Sequence, residues 1–89
     1  MNVKGVIKDV LPIQSIHTKK QTIIRKREIL IETEERYPQS LLFEVINDDV
    51  EHVCLVHGMR VTVELNFRAV KYNDKYFNNF RAWKIEKIE

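Results

Sequence analysis

The residues best suited to chemistry in this chain are cations interleaved with aromatic rings near its carboxyl end. Six of the eight aromatic residues lie between positions 67 and 83. Flat rings can stack on unpaired bases and neighbouring cations can neutralise phosphates, so this pattern is typical of a surface that binds single-stranded nucleic acid. The candidate residues of this segment are Lys71, Tyr72, Lys75, Tyr76, Phe77, Arg81, Trp83 and Lys84.

A second group of cations lies nearer the amino end. Residues 10–27 carry five positive charges and no acidic residue, whereas residues 28–66 have a net charge of −7 and residues 67–88 a net charge of +4. The overall charge of +2 therefore hides two basic segments on either side of an acidic one. Brought together in a fold, the basic segments would form a groove for a polyanion. The cations of the first segment are Lys19, Lys20, Arg25, Lys26 and Arg27.

Catalytic and metal-binding groups are sparse. His52, Cys54 and His57 are close in sequence, but their spacing matches no common structural zinc site and a fourth ligand is missing. No serine or cysteine stands beside a candidate base, and two glycines cannot form a glycine-rich phosphate loop. We therefore expect a protein that is not an enzyme and that holds no metal or other cofactor.

The size and composition of the chain predict a small soluble domain. Its 89 residues make one domain, and its unbroken apolar stretches are too short to span a membrane. A single cysteine forms no internal disulfide, and the amino end lacks the apolar core of a secretion signal. The expected location is the cytoplasm.

The apolar pattern predicts an all-β chain with one short helix. Five strands are expected at residues 3–11, 22–33, 40–46, 60–71 and 76–88. The helix is expected between the third and fourth strands, where Asp48 is a suitable N-cap and Gly58 a suitable end. This is the element order of the OB-fold, a five-stranded Greek-key barrel, and an SH3-like barrel is the nearest alternative. We therefore predict a single OB-fold domain over residues 1–89.

Alternation within the strands predicts which side chains are buried. Ile29 and Ile31 should face the core from the second strand, and Val61, Val63, Leu65 and Phe67 from the fourth. Phe80 is also predicted to be a core residue, whereas Tyr72 and Tyr76 should be accessible beside a hairpin turn at residues 73–74. Trp83 could be a stacking platform or a buried residue. Residues 13–21 are predicted to form a loop, and Gly5 a bulge or bend in the first strand.

Two stretches resemble a small uncharacterised family of bacterial and phage proteins. The first is EILIETEERYPQ at residues 28–39 followed by LFEV at 42–45, and the second is YNDKYF at 72–77 followed by RAWK at 81–84. The family pattern is roughly LETEEQYP…FEV and YNGRWF…RAWK, so Asp74 replaces a glycine and Tyr76 a tryptophan. The family resembles OB-fold single-stranded DNA-binding proteins, which implies the same fold and ligand for this chain.

The two basic segments fall where an OB-fold binds its ligand. The usual surface crosses strands two and three, between the loop after strand one and the hairpin of strands four and five. We therefore predict a largely sequence-independent single-stranded DNA-binding protein that acts in replication, recombination or repair. The cations of both segments would neutralise phosphates, and Tyr72, Tyr76, Phe77 and Trp83 would stack on bases.

The partner predicted beside single-stranded DNA is a second copy of the chain, because one small site binds weakly and linked sites multiply the affinity. No membrane or small-molecule partner is expected. Two alternative functions remain, a protein-interaction module and a single-stranded RNA binder. Salt separates the first of these from strand binding, because phosphate contacts weaken steeply as salt rises.

Overall fold

Six β-strands make up most of the chain in a computed structural model, which describes residues 1–17, 19–46 and 56–88. The strands are β1 (Asn2–Val10), β2 (Gln14–His17), β3 (Ile23–Thr33), β4 (Ser40–Ile46), β5 (Arg60–Tyr72) and β6 (Lys75–Lys87). No helix occurs in these ranges, so the described part of the chain is all-β. The helix predicted from Asp48 lies outside the described residues for most of its length.

The prediction of a loop over residues 13–21 is wrong for residues 14–17, which form strand β2. Its four residues are all exposed and pair in antiparallel register with the beginning of β3, from Gln14 opposite Lys26 to His17 opposite Ile23. Gln21 adopts a left-handed backbone with a φ of 61°, which helps to reverse the chain between the two strands. An exposed edge strand lacks the buried alternation that marks a strand in a sequence, so the pattern of this polar segment resembles that of a loop.

The pairing between neighbouring strands closes on itself. The sheet order is β1-β5-β6-β4-β3-β2, and β1 also pairs with β3, so five strands form a closed circuit and β2 lies outside it. Four of the five junctions of the circuit are antiparallel ladders, and the fifth joins β4 to β6 in parallel through one residue pair, Glu44 opposite Arg81. We call this junction the β4–β6 seam.

Strand β1 pairs on both of its edges, and a close approach at Gly5 permits this. Gly5 lies opposite Thr33 of β3 and opposite Val61 of β5. A Cβ atom there would stand 2.7 Å from the carbonyl oxygen of Glu32. The irregularity in the β1–β3 ladder falls between Ile7 and Asp9, so the bulge expected at Gly5 occurs further along the strand.

Replacing Gly5 by alanine should therefore destabilise the fold. We expect Gly5→Ala to lower the free energy of unfolding by about 1–3 kcal/mol, because the new methyl group forces β1 and β3 apart. Urea unfolding followed by circular dichroism measures this change. Lys8→Ala is the control on the same strand, since its exposed ion pair with Glu32 at 3.8 Å is worth less than about 1 kcal/mol. An unchanged unfolding midpoint for Gly5→Ala would contradict the close packing.

The core lies inside the closed circuit. Its fully buried side chains come from β1, β3, β4, β5 and β6, and they are Ile7, Ile29, Ile31, Phe43, Val45, Val61, Val63, Leu65 and Ala82. The predicted inward positions of β3 and the first three of β5 are thus confirmed. Phe80 is half-buried and packs against this cluster, which confirms its predicted place in part.

The prediction that Phe67 is a core residue is wrong. Its side chain is exposed, although it has the same parity as Leu65. The ladder between β1 and β5 runs only from Arg60 to Glu64, whereas the ladder between β5 and β6 continues to Tyr72. Residues 66–72 of β5 and 75–81 of β6 therefore form a two-stranded arm with which β1 does not pair. Phe67 lies in this arm and packs against Phe80, with 5.9 Å between the ring centroids.

The arm ends in the predicted hairpin turn. Tyr72 and Lys75 are paired, and Asn73 and Asp74 between them have φ values of 49° and 63°. Two consecutive left-handed residues are typical of a type I′ turn, whose preferred sequence is Asn-Gly. Asp74 therefore occupies a position where glycine is easier to accommodate.

The substitution Asp74→Gly should stabilise the hairpin. We expect the free energy of unfolding to rise by about 0.5–1 kcal/mol, because glycine adopts a positive φ without a steric penalty. Thermal unfolding measures the change. Asp74→Asn is the matched control, since asparagine removes the charge and keeps the β-carbon, so a similar gain in both variants would assign the effect to charge and contradict the conformational explanation.

Candidate nucleic-acid interface

Glu44 is the centre of a polar cluster that joins three strands. The residue is only 7% exposed, and its Oε1 accepts hydrogen bonds from Asn79 Nδ2 at 2.9 Å and from Arg81 Nη2 at 3.1 Å and Nε at 3.2 Å. Lys26 Nζ of β3 lies 3.9 Å from its Oε2. Since a buried carboxylate requires compensating charge, these cations stabilise it. The cluster therefore reinforces the β4–β6 seam, where the backbone contributes one residue pair.

The same cluster brings the two basic segments of the sequence into contact. Lys26 belongs to the first segment and Arg81 to the second, and both reach the carboxylate of Glu44. Glu28 lies directly opposite Glu44 in the β3–β4 ladder and shares its face of the sheet. The outer face of β3, β4 and β6 thus carries a charged patch of both signs. Sequence reasoning missed Glu44, and its only signal was an acidic residue between the apolar Phe43 and Val45.

One face of β6 carries two polar side chains between two exposed rings. Phe77, Asn79 and Arg81 are two residues apart and pair with Val70, Arg68 and Asn66 of β5, so their side chains share one face. Trp83 follows at the irregularity of this ladder, where Glu64 pairs with Lys84 and Leu65 with Ala82, which leaves Trp83 without a partner opposite. The same irregularity returns Ile85 to the inner face, opposite Val63. We call the set Phe77, Asn79, Arg81 and Trp83 the β6 row.

Four aromatic side chains of β5 and β6 are exposed to a large extent. The exposed fractions are 63% for Phe67, 71% for Tyr76, 53% for Phe77 and 57% for Trp83. The Nζ atom of Lys71 lies 5.8 Å from the centre of the Tyr76 ring, which is within the range of a cation–π contact. The structure does not describe the side chain of Tyr72. Exposed rings beside cations are the arrangement that base stacking requires.

A groove of about 170 Å³ opens on the arm beside the Glu44 cluster. It is lined by Asn66, Phe67, Arg68, Asn79 and Arg81. Four of these five residues are the two directly paired couples of the ladder, Asn66 with Arg81 and Arg68 with Asn79. The groove therefore presents two guanidinium groups and two amides, of which sequence reasoning named only Arg81.

The remaining predicted cations lie towards the two opposite ends of β4. Lys19 and Lys20 are exposed in the turn between β2 and β3, and Lys75 is exposed at the end of the arm. β3 runs antiparallel to β4, and β6 runs parallel to it. Measured along β4, the β2–β3 turn therefore lies towards its carboxyl end and the arm towards its amino end, so the outer face of β4 lies between them.

Three predicted cations have more restricted surroundings. Arg25 and Arg27 are half-buried in β3, and the Nε atom of Arg27 is buried without a hydrogen-bond partner among the described residues. Lys84 donates to Glu86 at 3.0 Å, and this hydrogen bond raises the pKa of Lys84 above its usual value. Since Lys84 is exposed, the contact is a weak surface pair that a phosphate could replace.

The histidines and the cysteine that are close in sequence show no metal site in the part of the chain that the structure describes. His52 and Cys54 lie outside the described residues, and His57 is exposed. In the described ranges, no three His, Cys, Asp or Glu side chains are grouped so as to hold a metal ion. Within the same ranges there is also no helix that could cross a membrane.

The arrangement of the strands matches that of two solved structures. The chain superimposes on the mitochondrial single-stranded DNA-binding protein Rim1 of S. cerevisiae with a TM-score of 0.73 and 14% identity, covering 100% of this chain and 94% of the other. It superimposes on the dimeric N-terminal domain of PriB from Thermoanaerobacter tencongensis with a TM-score of 0.70 and 20% identity, again covering 100% and 94%. These neighbours are OB-fold proteins, and the chain shares their fold.

The sequence itself identifies the family. The chain belongs to the family described as Domain of unknown function (DUF3127), whose model matches residues 2–86. The resemblance to an uncharacterised family with the OB-fold is therefore confirmed. No curated protein matches the chain significantly.

Proposed function

We propose that this protein binds single-stranded DNA with little sequence preference, through the outer face of β4 and β6 and the arm. The observation that carries the proposal is the exposure of Phe77 and Trp83 in the β6 row, which also contains Arg81. Lys75 and Arg68 lie on the same face, whereas Phe67, Tyr76 and Lys71 lie on the other face of the arm. Soluble proteins rarely expose large apolar groups together without a partner. A single strand is a partner that uses rings and cations at once.

The fold supports the same proposal. In the OB-fold, the ligand surface lies across the second and third strands of the barrel, to which β3 and β4 correspond here. We propose that the closed circuit of five strands is this Greek-key barrel and that β2 is an addition to it. Rim1 is a single-stranded DNA-binding protein, and the proposal extends that ligand to this chain.

Roles can be assigned to the predicted site residues under this proposal. The cations that neutralise phosphates are Lys19, Lys20, Lys26, Lys71, Lys75, Arg81 and Lys84, and the stacking residues are Tyr72, Tyr76, Phe77 and Trp83. Arg25 and Arg27 alternate with Lys26 along β3, and Arg27 lies opposite the buried Val45, so these two arginines have at most a minor part in phosphate binding. Arg81 and Lys26 share the carboxylate of Glu44, so their net contribution to phosphate binding is smaller than that of the exposed lysines. A cytoplasmic role in DNA replication, recombination or repair is part of the proposal.

Titration of Trp83 fluorescence with oligo-dT tests the function. Strands of about 15 nucleotides fill one OB-fold site, and stacking on the single tryptophan should quench its emission. If four phosphates are neutralised, the logarithm of the binding constant should fall with the logarithm of salt with a slope of about −3. Oligo-U of equal length separates DNA from RNA. The absence of any quenching, together with no binding in a filter assay, would overturn the proposal.

A protein-interaction module is the second candidate, and exposed apolar residues outside the arm favour it. Ile16 and Ile23 are exposed on the β2–β3 hairpin, away from the aromatic rings of β5 and β6. β2 pairs only with β3 in the described sheet, and its other edge can add a strand from a second copy. We propose self-association at this edge. Sedimentation at rising protein concentration tests it, and a monomer at all concentrations would contradict it.

A further inference from the structure

The groove on the arm has a composition that non-specific strand binding does not require. Phosphate neutralisation needs only positive charge, and stacking needs only rings. The groove instead places two amides and two guanidinium groups around a space of about 170 Å³. Amide and guanidinium groups are the side chains that recognise base edges through paired hydrogen bonds.

We propose that this groove holds one purine base of the bound strand, with guanine preferred, and this inference depends on the proposed function. Its size is well below the roughly 300–1,000 Å³ of pockets for drug-sized ligands, which fits a single base. An unpaired guanine offers the O6 and N7 acceptors that a guanidinium group contacts with two parallel hydrogen bonds. Adenine pairs in a similar way with an asparagine amide, and pyrimidines lack the N7 acceptor.

Arg68 is the group that reads the base. Arg81 already donates from Nε and Nη2 to Glu44, and Asn79 donates from Nδ2 to the same oxygen, so both are oriented by the buried carboxylate. Arg68 is exposed and lies directly opposite Asn79, on the rim of the groove. The Glu44 cluster thus fixes one wall of the groove, and Arg68 closes on the base from the other.

The neighbouring rings define the position of this base along the bound DNA. Phe77 is two residues from Asn79, and Trp83 is two residues from Arg81, so exposed rings stand on both sides of the groove along the β6 row. At about 3.3 Å per residue, Phe77 and Trp83 are roughly 20 Å apart along β6, with the groove between them. Bases stacked on the two rings would present an intervening base to Arg68.

Four oligodeoxynucleotides of equal length test the base site. They are oligo-dT of about 15 nucleotides, which fills one site, and the same strand with one central guanine, adenine or cytosine. We expect the guanine strand to bind at least about fivefold more tightly than oligo-dT, with adenine next and cytosine equal to thymine. In Arg68→Lys the charge remains but the planar fork is lost, so the ratio of guanine to thymine affinity should fall to about one. Arg36→Lys, in the exposed turn between β3 and β4, is the matched control and should keep the ratio.

Each result decides between the two proposals. Equal affinities for the four strands would overturn the base site and leave single-stranded DNA binding intact. A guanine preference that persists in Arg68→Lys would overturn the assignment to Arg68. Failure of all four strands to bind would overturn the proposed function and the base site together.

Discussion

Removing the exposed rings at both ends of the β6 row should weaken binding of oligo-dT more than any other surface change. Each base stacked on an aromatic ring contributes about 1–3 kcal/mol, so Phe77→Ala and Trp83→Ala should each lower the affinity by roughly 5- to 150-fold. Both side chains are more than half exposed and neither belongs to the core, so the fold should be retained. Anisotropy of a labelled strand measures the affinity, because Trp83 is absent from one of the variants.

Tyr37→Ala is the control for this loss of aromatic surface. Tyr37 is 72% exposed in the turn between β3 and β4 and contacts Arg36, whose Cζ lies 5.6 Å from the ring centre. It lies outside the β6 row, so its loss should leave strand binding unchanged. If Phe77→Ala and Trp83→Ala bind oligo-dT as tightly as Tyr37→Ala does, the rings do not stack on bases and the proposed interface is wrong.

Glu44→Ala should produce the largest loss of stability among the polar substitutions. The change removes the acceptor of three hydrogen bonds and leaves Arg81 and Lys26 close together without a counter-charge. Breaking a buried charge cluster from one side costs about 3–5 kcal/mol, and the partial exposure of both cations lowers our expectation to about 2–3 kcal/mol. Urea unfolding measures this difference.

Glu28→Ala is the matched control for Glu44→Ala. Glu28 lies directly opposite Glu44 in the ladder, so its removal relieves repulsion between like charges across the strands. We expect its stability to stay within about 0.5 kcal/mol of the parent protein, or to rise. Equal losses in the two variants would show that Glu44 has no special structural role.

Local sequence pattern predicted the strands well wherever one face is buried. β4 occupies the predicted residues 40–46, and the alternation of Val61, Val63 and Leu65 predicted their burial. In a strand with one buried face, every second side chain points into the core, so the alternation of apolar residues indicates directly which side chains are buried. The resemblance in the motifs around Tyr37 and Trp83 also predicted the family and the OB-fold that the comparisons support.

The errors arise where distant strands decide the outcome. Phe67 continues the buried parity of β5, but β1 stops pairing before reaching it, and nothing local marks that limit. Glu44 is buried because Arg81 reaches it from 37 residues further along the chain. The base-sized groove was missed for the same reason, since Asn66 and Arg81 become neighbours only through the β5–β6 ladder.

The β4–β6 seam has a consequence for the motions of the protein. Antiparallel ladders hold the other junctions of the circuit, and the longest of them has twelve residue pairs between β5 and β6. Transient opening should begin at the junction with the fewest backbone bonds, so amide protons of β4 and β6 facing that gap would exchange with solvent well before those between β5 and β6. A ligand that bridges the two strands would slow this exchange and make the molecule more rigid while it is bound.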